Sequence, residues 1–454
     1  MSLIENENKK VIYRNLAVVA VPIALQSLIA SSLNLIDNLM VGMLGEEELA
    51  AVGVGMQIYF ISWIVTFGFS AGCSTFVAQF WGAEDIGNIK KTTGLALTAC
   101  VATGGLFFIA GFFFPEYVVR IFTNIPSIVE LSSVYVKYGS PCFLLMPVGV
   151  VLEMALKATQ QTKLPMYISI VAFSLNTFMN WVLIFGHYGM PALGVKGAAL
   201  ATVTARSAEV MLCVYFVLIK RNVLNGHIKE FFGWSMHLIK RVARNSLPTM
   251  ANEGLWSLAT TLYVAAYARV GVTEYAAYQA CETIDRLFIM AAFSMGDAAL
   301  ILVGQKLGEK KLGEAYGLAK LILKIAGIMG VILGGLLILF AKPLISLFNF
   351  TPAGQHDAFL ILIVYGVLMF VDVLNGCIVT GVLRCGGDTA YAMAIDTGTI
   401  WLIGVPIAFI TTGLLHWPIY IAVLLVRIEQ VTKLVLGIRR VVSKKWVRNV
   451  IGNL

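Results

Sequence analysis

"LNLIDNLMVG", residues 33–42, sets one aspartate, Asp37, in the middle of an apolar run. From Leu16 to Leu44 there is no other acidic or basic side chain. The run is about 29 residues long, more than the ~20 a helix needs to cross a bilayer's hydrocarbon core. A charge at the centre of such a helix costs roughly 2.5–3.5 kcal/mol on insertion scales. Asp37 is therefore either tolerated there or used.

The rest of the chain repeats this composition. Of 454 residues, 59% are hydrophobic and 13% charged, and the mean hydropathy is +0.84. Backbone polar groups in lipid must be satisfied internally, so the choice is helices or a closed barrel. The apolar runs are continuous rather than alternating, which argues for helices. Twelve spans are expected, at about 15–43, 49–74, 92–114, 131–156, 164–186, 194–219, 242–269, 275–303, 317–340, 358–383, 391–412 and 418–437. The polar start "MSLIENENKKVIYRN" leads to no expected cleavable signal.

Net charge is +8, but the Lys and Arg residues gather in links between spans rather than in a nucleic-acid-binding stripe. With a cytoplasmic N-terminus, the inside segments hold Lys9, Lys10, Arg14, Lys90, Lys91, Lys157, Lys163, Lys220, Arg221, Lys229 and Lys240. Arg241, Arg244, Lys306, Lys310, Lys311, Arg384 and the basic tail around Arg439–Arg448 join them. The outside links hold mainly Arg120, Lys196, Arg269 and Lys342. The bias places both termini in the cytoplasm. The seven cysteines are scattered and make no CxxC or Cys/His metal pattern. No P-loop and no nucleophile–His–acid set appear, and the five histidines lie near links.

The chain repeats itself. Pro22 and Pro248, Gly45 and Gly271, Gln79 and Gln305, and Gly82 and Gly308 match at an offset of 226. After a one-residue slip, "LKATQQT" (156–162) aligns with "LRCGGDT" (383–389). Six spans are used twice, in the same orientation, with a pseudo-two-fold axis along the membrane normal and a cleft between lobes. The expected division is an N-lobe at 1–220, a cytoplasmic linker at 221–240, and a C-lobe with tail at 241–454.

Polar residues inside the spans are the candidate site. Asp37, Asn176, Asn180 and Thr202 fall at similar depths, ~9–15 Å from the outer ends of their helices at 1.5 Å per residue. Asn176 and Asn180 are four apart, on one face. A carboxylate with amide and hydroxyl oxygens suits a hard cation such as Na⁺, and the carboxylate can also take up H⁺. Interhelical hydrogen bonding is the bland alternative. In the second half, Glu253 and Asp372 lie ~17 Å from the cytoplasmic side. Glu282 and Asp285 share a face, and Arg286 stands four residues after Glu282, able to pair with it. Arg206 is expected to pair with Glu209, and Arg427 with Glu429 or with another group of the twelfth helix. Asp297 and Asp396 are expected to touch water, and Asp388 to cap the eleventh helix.

Several stretches together resemble the MATE (multidrug and toxic compound extrusion) transporters over essentially the whole chain. They are "PIALQSLIASSLNLIDNLMVGMLGEEELAAVG", "QFWGAEDIGNIKK", "GVKGAALATV", "LPTMANEGLWSL", "GQKLGEKKLGEA" and "GVLRCGGDT". The resemblance implies an antiporter that expels cationic or amphipathic organic molecules, driven by inward Na⁺ or H⁺. It carries a cation-binding role onto Asp37, the polar residues of helices five and six, Glu253 and Asp372. Na⁺ is a candidate at Asp37, Asn176 and Asn180; no other cofactor is expected. Substrate is expected in the central cleft among Met250, Trp256, Met290 and Phe293. The expected setting is the cytoplasmic membrane, as a monomer, with no nucleic acid and no enzymatic activity. A lipid-linked oligosaccharide or polysaccharide flippase and a non-transport membrane protein stay open as alternatives.

Overall fold

The computed structural model describes residues 2–220, 222, 224–348 and 350–452, with the side chains of residues 2–9, 34, 35, 291 and 292 left aside. Arg221, placed inside by the charge reading, lies outside the described residues. Every regular element described is helical. The first half holds α1 (Ser2–Gly42), α2 (Glu46–Gly82), α3 (Ile86–Phe113), the short α4 (Pro115–Arg120), α5 (Pro126–Gly139), α6 (Cys142–Ala158), α7 (Lys163–Phe185) and α8 (Val195–Val214). The second holds α9 (Met236–Tyr267), α10 (Val272–Gly308), α11 (Leu312–Ile345), α12 (Pro352–Gly376), α13 (Thr389–Thr399), α14 (Val405–Phe409), α15 (Ile419–Val426) and α16 (Ile428–Val442).

Nine described helical spans are each long and apolar enough to cross a bilayer. The pair α5 and α6, bent by 53° around Ser140 and Pro141, makes a tenth. The remaining two expected spans are present as helices of a different kind. The seventh, within α9, carries Asn252 and Glu253 in its middle. The twelfth is divided at Arg427 into the 8 residues of α15 and the 15 of α16. Both departures come from polar groups that the fold uses. The tenth and eleventh spans pass through π-helical stretches, Cys377–Leu383, Ile400–Gly404 and Ile410–Leu414. Such wider turns are frequent at functional sites.

The chain forms two compact units. One comprises Leu25–Ser246; the other joins Met1–Ala24 to Leu247–Leu454. Within the first, α7 ends at Gly186, whose φ of 79° is left-handed. A side chain is strained there, and a Cβ would lie 2.7 Å from the Ala192 nitrogen. This tight reversal returns the chain so that α8 packs along α7. Within the second, α11 packs closely on α12. A Cβ at Gly330 would stand 2.5 Å from the Phe370 Cα, and one at Gly334 would strike the Gly366 carbonyl. Gly330 and Gly334 thus make a close helix contact inside one unit, as small-residue interfaces in membranes do.

Candidate functional site

The first unit brings three of its four candidates into one chain of contacts. The Asn180 amide donates to the Asp37 carboxylate at 2.5 Å and to the Asn176 side-chain oxygen at 3.1 Å. One amide thus spends its donors on two acceptors across α1 and α7. Asn176 and Asn180 are each 1% exposed and Asp37 is 8% exposed. The Asn180 side-chain oxygen is buried with no partner among the described residues. Thr202 instead donates to the Ala198 carbonyl on its own helix, at 3.0 Å. It also reaches the Tyr135 side chain.

A packed apolar layer closes one side of this cluster. Val41, Ile184 and Ala198 belong to a buried core with Val52, Tyr135, Val195 and Ala199. Val41 is one turn beyond Asp37, Ile184 one turn beyond Asn180, and Ala198 one turn before Thr202. The layer therefore caps the polar groups on three helices at once. It excludes water on that side and strengthens every electrostatic interaction behind it.

No Lys, Arg or His nitrogen lies within 4 Å of Asp37 among the described residues. Its carboxylate is held by a neutral amide alone. The second unit is built differently. Glu253 accepts from Arg384 at 2.7 Å. Asp372 pairs with Arg427 at 2.7 Å, and Asp285 lies 3.8 Å from the same guanidinium. That guanidinium stacks 4.4 Å from the Tyr365 ring centre, and the Tyr365 hydroxyl donates to Glu282 at 2.6 Å. Lys433 pairs with Asp396 at 2.7 Å and with Glu429 at 3.7 Å. So Asp372, Asp285 and Glu282 gather around Arg427, while Glu253 stands apart on Arg384. One carboxylate oxygen each of Asp285 and Asp372 is buried without a partner among the described residues.

Four pairings differ from the sequence expectation. Glu282 meets Tyr365 rather than Arg286, because Arg286 turns to the exposed side of α10. Arg427 reaches across to α12 and α10 rather than to Glu429, since the break between α15 and α16 aims it away from its own helix. Asp396 is held by Lys433 and by the Asn252 amide at 3.0 Å rather than by water. Asp388 occupies the position before α13, but makes no cap hydrogen bond; both its oxygens bind Arg440, at 2.6 and 3.0 Å. The Arg206–Glu209 pair forms at 2.6 Å.

Of the four substrate candidates, Trp256 and Phe293 are exposed and Met250 and Met290 half-buried, all on α9 and α10. The sequence reading missed Gln26, Glu153, Tyr365, Asn252 and Lys433. Lys433 had a signal, a lone cation four residues after Glu429 in the last span. Glu153 had the same kind, a lone acid four residues before Lys157. Among the described residues no group of three or more His, Cys, Asp or Glu could hold a metal ion. A cation held at Asp37 would rest on one carboxylate and amide oxygens.

A duplicated all-helical bundle with buried carboxylates on several of its spans is the architecture of a secondary transporter. The MatE family model matches residues 22–182 and again residues 247–410, one match per half. The chain belongs to this family, the MATE transporters, and is a multi-pass membrane protein of twelve helical spans in two six-helix lobes. It is 24% identical over 418 residues to the probable multidrug resistance protein YoeA of Bacillus subtilis, covering 89% of this chain and 88% of that one. It is 25% identical over 408 residues to the probable multidrug resistance protein NorM of Thermotoga maritima, covering 88% and 85%. Among solved structures, a MATE protein in complex with MaL6 superposes with a TM-score of 0.86 at 18% identity, covering 95% of this chain and 96% of that one. An outward-facing multidrug resistance MATE transporter does so with a TM-score of 0.84, at 18% identity and the same coverage.

Proposed function

We propose that this protein is a multidrug efflux antiporter that exports cationic or amphipathic organic compounds in exchange for Na⁺ or H⁺. The support is its membership of the MATE family and relatives named as multidrug resistance proteins. The setting is the cytoplasmic membrane with both termini inside, following the Lys/Arg bias. The lobes at 1–220 and 241–454, joined by 221–240, are the parts that alternate access.

The observation that carries the coupling reading is the charge state of the two units. In the second, Glu253, Asp372 and Asp396 each have a resident cation within 2.7 Å. In the first, among the described residues, Asp37 has the neutral Asn180 amide and no cation, and the Asn180 oxygen has no partner. A buried carboxylate without a cation is costly in its charged form. Binding H⁺ neutralises it; binding Na⁺ does the same and uses the spare amide oxygens. Asp37 is therefore the coupling group, Asn180 and Asn176 its neutral ligands, and Thr202 an outer contributor. Ion binding shifts the α1 conformation to the degree that two conformations hold the ion differently. Glu253, Asp372, Asp285 and Glu282 take part through exchangeable partners, since an ion or cationic substrate competes with Arg384 or Arg427 for their oxygens. Met250, Trp256, Met290 and Phe293 offer apolar contact to substrate.

The test is efflux of ethidium, a lipophilic cation, from vesicles with an imposed Na⁺ gradient and, separately, an imposed pH gradient. Efflux driven by either supports the reading and names the ion. Equal leakage with and without both gradients would sink it.

A further inference from the structure

A second polar centre lies in the first unit, on the same face of α1 as Asp37. Gln26 precedes Asp37 by 11 residues, three helical turns, so the two share a face about 16 Å apart along the helix. The Gln26 amide donates to the Glu153 carboxylate of α6 at 3.0 Å and to the Ser169 hydroxyl of α7 at 2.9 Å. Both amide hydrogens are thereby used. Gln26 is 7% exposed, and its oxygen is buried with no partner among the described residues.

Four titratable side chains act on Glu153. Glu209, Arg206 and Cys213 come from α8, and Lys157 from its own helix. Gln26 of α1, which donates to it, and Ser169 of α7, which the same amide reaches, are neutral. Arg206 is committed to Glu209 at 2.6 Å. No Lys, Arg or His nitrogen lies within 4 Å of Glu153 among the described residues.

The repeat supplies an independent comparison. At the offset of 226, Gln26 corresponds to Asn252; at 227, Ser169 corresponds to Asp396 and Arg206 to Lys433. The amide bond recurs, Asn252 donating to Asp396 as Gln26 does to Ser169, but Asp396 pairs with Lys433 whereas Arg206 pairs with Glu209, and Glu153 falls opposite Thr380. The Asn252 oxygen is also buried and unpartnered. Both halves thus build one amide-centred station. In the second, the cation neutralises the station's carboxylate. In the first, the corresponding cation is held by Glu209, and Glu153 is left without one.

We propose that Glu153 is a second proton-carrying carboxylate of the first lobe, with Gln26 and Ser169 as its positioning residues. The proposal rests on the reading of this chain as an ion-coupled exporter. A proton from hydronium adds to a carboxylate oxygen of Glu153, leaving water and a neutral acid. The new O–H needs an acceptor in a buried place, and the unpartnered Gln26 oxygen is that acceptor once the amide turns over. The Ser169 hydroxyl, donor and acceptor in one group, follows the turn. Release reverses the step. Asp37 and Glu153 are then two stations along α1, with Arg206 acting electrostatically on both.

The test uses the purified full chain in lipid and infrared difference spectra between acid and neutral pH. Wild type should show a protonated-carboxyl band that Glu153→Gln loses. Gln26→Leu should keep that band but displace its titration midpoint measurably, because the amide that serves both the charged and the neutral form is gone. Spectra of Glu153→Gln and Gln26→Leu that superpose on wild type would overturn the proposal. This readout needs no transport, so it separates failure of the site from failure of the exporter reading. In vesicles, Glu153→Gln should flatten the pH dependence of ethidium efflux. A wild-type pH profile in that variant, while Asp37→Asn is inactive, would remove Glu153 alone and leave the exporter reading standing.

Discussion

The Asn180 amide reaches 2.5 Å to the Asp37 carboxylate, joining α7 to α1 through a neutral donor. This one bond fixes the carboxylate's position without neutralising it. The arrangement predicts that Asp37→Asn preserves the fold and removes the charge proposed to bind the ion. Gradient-driven ethidium efflux should fall to background while the thermal midpoint stays within a few degrees of wild type. Wild-type driven efflux in this variant would make Asp37 a tolerated polar residue.

Removing the neutral ligands should act more mildly. Asn180→Ala deletes an amide oxygen offered to Na⁺ and a hydrogen bond to the charged carboxylate worth roughly 1.5–3 kcal/mol, so the apparent Na⁺ affinity should drop, whereas H⁺ binding, which that bond opposes, should tighten on the order of tenfold or more. Asn176→Ala removes only an amide oxygen and should cost less. Titrating transport against Na⁺ and against pH gives both numbers. Equal effects of the two substitutions would contradict the central place of Asn180.

Arg384, 4% exposed, holds Glu253 at 2.7 Å. Breaking a buried pair from one side leaves an uncompensated charge and typically costs about 3–5 kcal/mol. Arg384→Met should therefore lower thermal stability more than Glu253→Gln does, and Arg384→Met with Glu253→Gln should recover part of the loss. The transport assay then separates roles. Glu253→Gln that folds yet fails in driven efflux marks Glu253 as part of coupling, whereas full efflux marks the pair as structural.

On the soluble side, Glu230 in the 3₁₀ turn Ile228–Phe231 takes a hydrogen bond from Lys90 at 2.6 Å. The Lys90 ammonium and the His227 backbone hold the Glu230 carboxyl below its usual value. A depressed acid contributes stability above its unfolded-state pKa and loses it as pH falls through the folded value. The linker should thus loosen only in acid, below the ordinary glutamate range near 4.5. Lys90→Met should loosen it at neutral pH. Limited trypsin cleavage after Lys229 should run a few-fold faster in that variant, and unchanged cleavage would show that packing of Phe231 on α3 holds the turn by itself.

The membrane class, the helices, the duplication and the presence of Asp37, Asn176 and Asn180 were legible from the sequence. Each is a local property: apolar length, a repeat offset, a polar residue where lipid penalises it. The depth rule also brought Asp37 near the asparagines, because a helix advances a fixed distance per residue. What sequence could not decide was partnership. Glu282 has Arg286 four residues away, yet Tyr365, 83 positions distant, takes it, since Arg286 faces outward. Arg427 looked like a partner for Glu429, but the break in the twelfth span turns it toward Asp372 and Asp285. Glu153 carried no mark of its partner in the sequence, and only packing sets it against the Gln26 amide, 127 positions away. Which carboxylates have a cation beside them and which do not depends on rotations about helix axes and on helix breaks. Packing between helices sets both, and periodicity along one helix carries no record of it.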